Sequence, residues 1–258
     1  MLPQNNNLTN LLPQLKNKLR AHIEIVCLAV IMAFIIVVLG FFKWSRPYSV
    51  IENLGVSKSN YIFGIDISHY QGDIHWEELK TTHHPIKYIF IRASMGADGV
   101  DERYHSNWVK AKENGYLRGA YHYYRPFENS VKQFENFKKT VNLEKGDFIP
   151  VLDIEKPSPH GIDNLRKGIL NWLSLAEKEY GVKPIVYSGL SFYNDFLKGH
   201  LKDYPLWIAA YSGKHRLDGV DWRFHQFTEN VKVKGIKYPV DGNDFNGSIK
   251  QLNSLLLD

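Results

Sequence analysis

From residue 61 onward the chain alternates apolar runs with amphipathic ones. "YIFGIDIS" (61–68), "IKYIFIRAS" (86–94), "YLRGAYHYY" (116–124), "FIPVLDIE" (148–155) and "KPIVYSG" (183–189) are rich in β-branched and aromatic residues and predict buried strands. "HWEELKTT", "HSNWVKAKENG", "SVKQFENFKKTV", "DNLRKGILNWLSLAEKEYG" and "SFYNDFLKG" fall between or after them and predict helices. In the longest, residues 165, 169, 170, 172, 173 and 176 form one apolar face. Gly115 and Gly181 stand where helix C-termini need a left-handed residue. Beyond residue 200 the rhythm changes. "YPLWIAAYS", "WRFHQFT" and "YPVDGNDFNG" read as strands with only loops between them. Eight strands, with helices between the first six and none between the last three, predict an α/β fold. It is an irregular, mostly parallel, TIM-like (β/α) barrel.

The pattern before residue 61 is different. "IVCLAVIMAFIIVVLGFF" (25–42) is eighteen residues without a charge. As a helix it spans roughly 27 Å, close to a bilayer's hydrocarbon thickness. Lys16, Lys18 and Arg20 precede it and Lys43 and Arg46 follow, which favours a cytoplasmic N-terminus and an exported remainder. No small-x-small site follows in "FFKWSRPYS", so the segment reads as an uncleaved anchor, not a signal peptide. The expected organisation is a cytoplasmic tail (1–22), a single transmembrane anchor (23–44), a linker (45–60) and the barrel domain (61–258), periplasmic or extracellular.

Composition narrows the chemistry only a little. The formal charge of +5 and pI near 9.0 suit an anionic polymer or surface. No basic cluster is interleaved with aromatics, which argues against nucleic acid. The one cysteine, Cys27, lies in the apolar segment, so no disulfide forms within the chain. Aromatics at 14% supply both core and sugar-stacking surfaces.

The candidate chemistry is a set of carboxylates. Asp66 lies on the first strand, Asp153 and Glu155 on the fourth, and Asp241 on the eighth. Strand alternation turns Asp153 and Glu155 to one side, and closure brings the first strand beside the eighth. A ring of acids at a barrel mouth suits glycosidic bond cleavage, in which one acid stays protonated and another ionised. Glu155, longer and with a negative neighbour, is the expected proton donor. A lone Asp at a strand end often only caps a turn, and Asp241 precedes a glycine. "DGNDFNG" fails as a calcium loop, since Phe245 stands where an oxygen ligand belongs. His69, His122 and His225 are scattered over different elements and read as wall or core residues. Neither metal nor cofactor is called for.

Taken together, "FGIDISHYQGDIHW", "FIRASMG", "GYLRGAYHYYRP", "PVLDIE", "PIVYSG", "YPLWIAAY", "FHQFT" and "VDGNDFNG" make residues 61–252 resemble the glycoside hydrolase family 25 lysozymes, the Chalaropsis-type muramidases. The resemblance implies cleavage of the β-1,4 bond between N-acetylmuramic acid and N-acetylglucosamine in peptidoglycan. By position, Asp66, Asp153, Glu155 and Asp241 match the family's active-site acids, with Glu155 as general acid and Asp153 assisting the reacting sugar or its water. Tyr124 and Tyr187 lie at strand ends where the family places cleft aromatics; Trp207 and Tyr211 are further candidates to stack on sugar faces, Trp207 being equally a candidate core residue. Gly242 and Asp244 depart from the family pattern, and Asp244 would add negative charge near the cleft. Retaining, inverting and substrate-assisted routes all fit. The competing expectations are a glycan-binding scaffold that does no chemistry and a hydrolase of another acetylated glycan such as chitin.

Overall fold

The structure, a computed structural model, describes Met32, residues 61–212 and residues 217–258. The expected tail, anchor and linker lie outside the described residues, apart from Met32. Among the described residues no helix is long and apolar enough to cross a membrane.

The barrel strands are β1 (Ile62–Ile67), β2 (Tyr88–Met95), β4 (Leu117–Tyr123), β5 (Val151–Asp153), β6 (Ile185–Gly189), β7 (Leu206–Ala209), β8 (Trp222–Val231) and β9 (Val240–Phe245). A two-residue strand, β3 (Gly99–Val100), hangs antiparallel on the end of β2. The sheet runs β1-β9-β8-β7-β6-β5-β4-β2-β3, and a β1–β2 pairing closes it into an eight-stranded barrel. Pairings from β1 through β2 and on to β8 are parallel; β9 runs antiparallel to both β8 and β1. The helices are α1 (Trp76–Leu79), α2 (Tyr104–Glu113), α3 (Ser130–Thr140), α4 (Ile162–Tyr180), α5 (Leu190–Phe192, continued by a π-helical turn Tyr193–Leu197) and α6 (Ile249–Asn253). Gly115, just past α2, and Gly181, the cap of α4, adopt positive φ as their positions require.

Strand alternation sorts the core into two layers. Ile65, Ile67, Ile89, Ile91, Leu152, Val186 and Ile208 face outward against the helices. Tyr88, Phe90, Phe148, Trp207, Phe224 and Phe245 fill the barrel interior. Phe90 stacks on Trp207 with centroids 4.7 Å apart. The rings need space that two inward glycines supply. A Cβ at Gly64 would enter the ring of Tyr88, its partner across the ladder, and one at Gly119 would enter the ring of Phe90. Gly64→Ala is expected to cost about 1–3 kcal/mol by overpacking, read as a lower urea midpoint with an unchanged slope.

Two expectations need correction. The fourth barrel strand is shorter than "FIPVLDIE" suggests. The Phe148 N–H donates to the Arg118 carbonyl and that of Ile149 to Leu255, because the C-terminal segment runs alongside, and Pro150 has no N–H to give. That segment includes α6, which the pattern reading missed and which a Ser248–Gln251 capping box starts. Leu252 joins the interior core and Leu255, Leu256 and Leu257 pack against it. The second correction concerns β9. Asp241 stands near the start of its strand, not the end, and reaches the mouth because β9 is antiparallel to its neighbours.

Candidate active site

The four acids meet. Asp66, near the end of β1, is the direct cross-strand partner of Asp241 on β9, so their side chains share a face. Asp153 ends β5, and Glu155 follows two residues later with its side chain on the same cleft. All four line a cleft of about 500 Å³, together with Arg92 and Tyr123. A smaller recess of about 70 Å³ between the acids is floored by Trp207 and walled by Tyr187 and Gln226.

Asp66 is buried at the centre of a relay. Its Oδ2 accepts hydrogen bonds from Asn243 Nδ2 at 2.7 Å and Gln226 Nε2 at 3.0 Å. The Asn243 amide is oriented by Trp207, whose Nε1 donates to Asn243 Oδ1 at 2.7 Å. The Gln226 amide is oriented by the hydroxyls of Tyr187 and Tyr211, which donate to Gln226 Oε1 at 2.9 and 2.7 Å. Both amides therefore present N–H groups to Asp66. Asp66 and Asp241 are also hydrogen-bonded to each other. Two carboxyls in that contact share a proton. Burial, then the charge of Asp66 and its hydrogen bond, push Asp241 up to about 9. Asp66 is raised by burial, against the hydrogen bonds it accepts.

Asp153 and Glu155 differ in setting. Asp153 is buried, and its Oδ1 meets no hydrogen-bond partner. Burial, the charge of Glu155 and that of Asp66 hold its proton affinity well above the ordinary carboxylate range, against Arg92. Glu155 stands at the exposed rim. The surrounding cleft walls raise it, Lys156 opposes that, Asp66 adds to it, and the Tyr123 hydroxyl donates to its carboxylate. The pair titrates as a unit with a proton retained at higher pH than for a free acid.

The aromatics distribute unevenly. Tyr124 faces the outer core, with its hydroxyl packed against Gly168 of α4. The strand's cleft residues are Tyr121 and Tyr123, one position out of phase with Tyr124. Trp207 and Tyr187 are buried supports, whereas Tyr211 is exposed and open to contact. Asp244 is one position out of phase with Asp241 and Asn243. It pairs across the ladder with His225, and its charge helps raise the buried Tyr88 hydroxyl. His122 lies in the outer layer, stacked on Trp172 and bonded to Ser94. His69 contacts Asp101 and Arg92 beside the cleft.

Arg92, Tyr123, Gln226 and Asn243 escaped the sequence reading. For Gln226 and Asn243 the period of two was a usable signal, since Asn243 shares a face with Asp241 and Phe245, and Gln226 with Phe224.

A closed barrel whose mouth gathers four proton-sharing carboxyls around an open cleft is built for acid–base chemistry on a polar substrate. Comparison with known proteins gives that class its family. The family model described as Glycosyl hydrolases family 25 matches residues 65–236, and the chain belongs to that family; it is a glycoside hydrolase. It is 39% identical over 199 residues to "Uncharacterized protein YegX" of Escherichia coli (strain K12), covering 76% of this chain and 73% of that one. It is 29% identical over 222 residues to "Lysozyme M1" of Streptomyces globisporus, covering 79% and 74%. The solved structure of a family 25 glycosyl hydrolase from Bacillus anthracis superposes with a TM-score of 0.69 at 30% identity, covering 75% of this chain and 92% of that one.

Proposed function

We propose that the chain is a membrane-anchored N-acetylmuramidase of the cell envelope. It would cleave the β-1,4 bond between N-acetylmuramic acid and N-acetylglucosamine in peptidoglycan. The observation that carries this reading is the convergence of Asp66, Asp153, Glu155 and Asp241 on one cleft with raised proton affinities. Relatives named as lysozymes, among them Lysozyme M1, support the choice of substrate. Glu155, at the rim, donates its proton to the leaving glycosidic oxygen as the bond to the sugar carbon breaks; the oxygen of a water ends on that carbon, and the water's proton returns to the enzyme's carboxylates. Asp153 lies deeper in the cleft, and its unpartnered oxygen meets the sugar side, where positive charge develops. Asp66 and Asp241 hold one shared proton and bind substrate hydroxyl or amide groups. The recess between the acids, with Tyr187 and Trp207 in its walls, receives a sugar substituent, and Tyr211 stacks at its edge.

The test is to incubate the purified full-length protein with peptidoglycan and identify the new reducing ends. Muramic acid is expected. Glucosamine ends would show a different bond cleaved, and binding without cleavage would replace the enzyme by a scaffold. The anchor is proposed from residues 25–42 and their flanking charges. Protease added outside spheroplasts is expected to remove the barrel domain and leave a membrane-bound N-terminal fragment. A protected domain would overturn the orientation.

A further inference from the structure

The cleft carries cations as well as acids, and one of them pairs with a carboxylate outside the four. Arg92 and Lys156 lower the proton affinity of their carboxylate neighbours. Arg125 lines the same cleft, and its ion-pair partner is Glu128, outside the four acids. The fold holds it firmly. The fully buried Gln133 clamps its backbone, accepting from the Arg125 N–H at 2.9 Å and donating to its carbonyl at 2.8 Å. Glu128 takes one edge of the guanidinium, with Nη1 to Oε1 at 3.1 Å. The other Glu128 oxygen accepts from the backbone N–H of Ala97. Gly96, at φ +57°, leaves the space in which this pair lies, since a Cβ there would enter both Glu128 and Arg125. Among the described residues the remaining guanidinium N–H groups donate to no protein acceptor. Lys156 lines the same cleft, its Nζ 5.9 Å from the Tyr123 ring centroid.

A guanidinium pinned on one edge and open on the other is pre-organised for an anion, and its planar fork matches a carboxylate. The protons retained by the four acids reduce the repulsion such an anion would meet. We propose that Arg125, with Lys156 in the same cleft, forms a carboxylate-recognition subsite that selects glycans bearing an acidic substituent. This rests on the peptidoglycan reading. There the carboxylate comes either from a free lactyl ether on the muramic sugar or from the peptide that extends it. An uncharged N-acetylglucosamine polymer offers neither.

The experiment measures kcat/KM of the full-length protein on three substrates: peptidoglycan with its peptides intact, the same glycan stripped of peptides by an amidase, and chitin oligomers. Wild type is compared with Arg125→Gln, Lys156→Gln and Arg125→Lys. The loss of one charge-assisted contact predicts that Arg125→Gln lowers kcat/KM about 10- to 100-fold on a carboxylated substrate, chiefly through KM. Lys156→Gln should act in the same direction, Arg125→Lys should recover part of the loss, and added salt should weaken the wild type more than Arg125→Gln. A loss confined to the peptide-bearing glycan assigns the subsite to the peptide, and a loss on the stripped glycan assigns it to the lactyl group. Equal losses on all three substrates, with an unchanged melting temperature, would overturn the subsite. So would no loss on any. A wild type that cleaves no peptidoglycan defeats the functional reading itself, a distinct outcome from cleavage that Arg125→Gln leaves intact.

Discussion

Glu155→Gln is expected to lower turnover on peptidoglycan by about 10²–10⁴-fold while leaving the fold intact, the range that a positioned general acid contributes. Glutamine keeps the side chain's size and still offers an oxygen to the Tyr123 hydroxyl, so the rim geometry persists. What it lacks is a transferable proton. Because Glu155 stands at the exposed rim, its replacement should change stability by less than about 0.5 kcal/mol, and a melting curve separates lost chemistry from lost structure. The pH profile gives an independent reading. A donor raised by the surrounding cleft and by Asp66 keeps its proton to higher pH than a free glutamic acid, which moves the alkaline limb of wild-type activity upward. That limb should flatten in the variant. Near-normal turnover would remove Glu155 from the donor role and leave Asp153, its more deeply buried partner, as the acid to test next.

The barrel and its acids were legible for one reason: both are written in period. Apolar runs alternating with amphipathic stretches give the strand–helix order, and two acids separated by Ile154 at a strand's end face one cleft. The pattern does not report strand direction. A strand followed by a helix and one followed by a loop look alike locally, so nothing in "YPVDGNDFNG" says that Asp241 enters the mouth at the start of an antiparallel strand. Phase at a strand's end is also weakly written. Four consecutive residues, Tyr121, His122, Tyr123 and Tyr124, are all able to line a cleft or a core, and only the packing of Tyr124 against Gly168 decides which do. The Gln226 and Asn243 amides were the least visible part. Their value lies in orienting N–H groups toward Asp66, a property of the hydrogen-bond relay through Trp207, Tyr187 and Tyr211 and not of residue type.

That relay leads to the second large effect. Asp241→Asn is expected to stabilise the protein as pH rises, by roughly 3 kcal/mol at pH 9 relative to wild type. The ordinary value for the Asp241 carboxyl is 3.8, and the fold pushes it up to about 9. Between those values the folded protein keeps a proton that the unfolded chain has released. The number of protons bound by the unfolded state minus that of the folded state is then negative, so wild-type stability falls with rising pH across the window. Below about pH 4 both states are protonated and the penalty is absent. A fully buried group would lose about 1.4 kcal/mol per pH unit across the window; Asp241 is only half-buried, and solvent screening reduces the total to the smaller figure. In the variant the amide donates to Asp66 in place of the shared proton and does not titrate, so this contribution to the slope disappears. Groups that titrate in both proteins largely cancel in the comparison. His122, which burial lowers to about 3, destabilises both equally under acid, and Asp153 and Glu155 bend both curves downward at higher pH. Urea midpoints measured from pH 4 to pH 9 should therefore start together and diverge steadily, with the variant above. Parallel curves would mean that Asp66 and Asp241 do not share a proton, and an inverted order would mean that the Asp241 carboxylate is itself a stabilising charge.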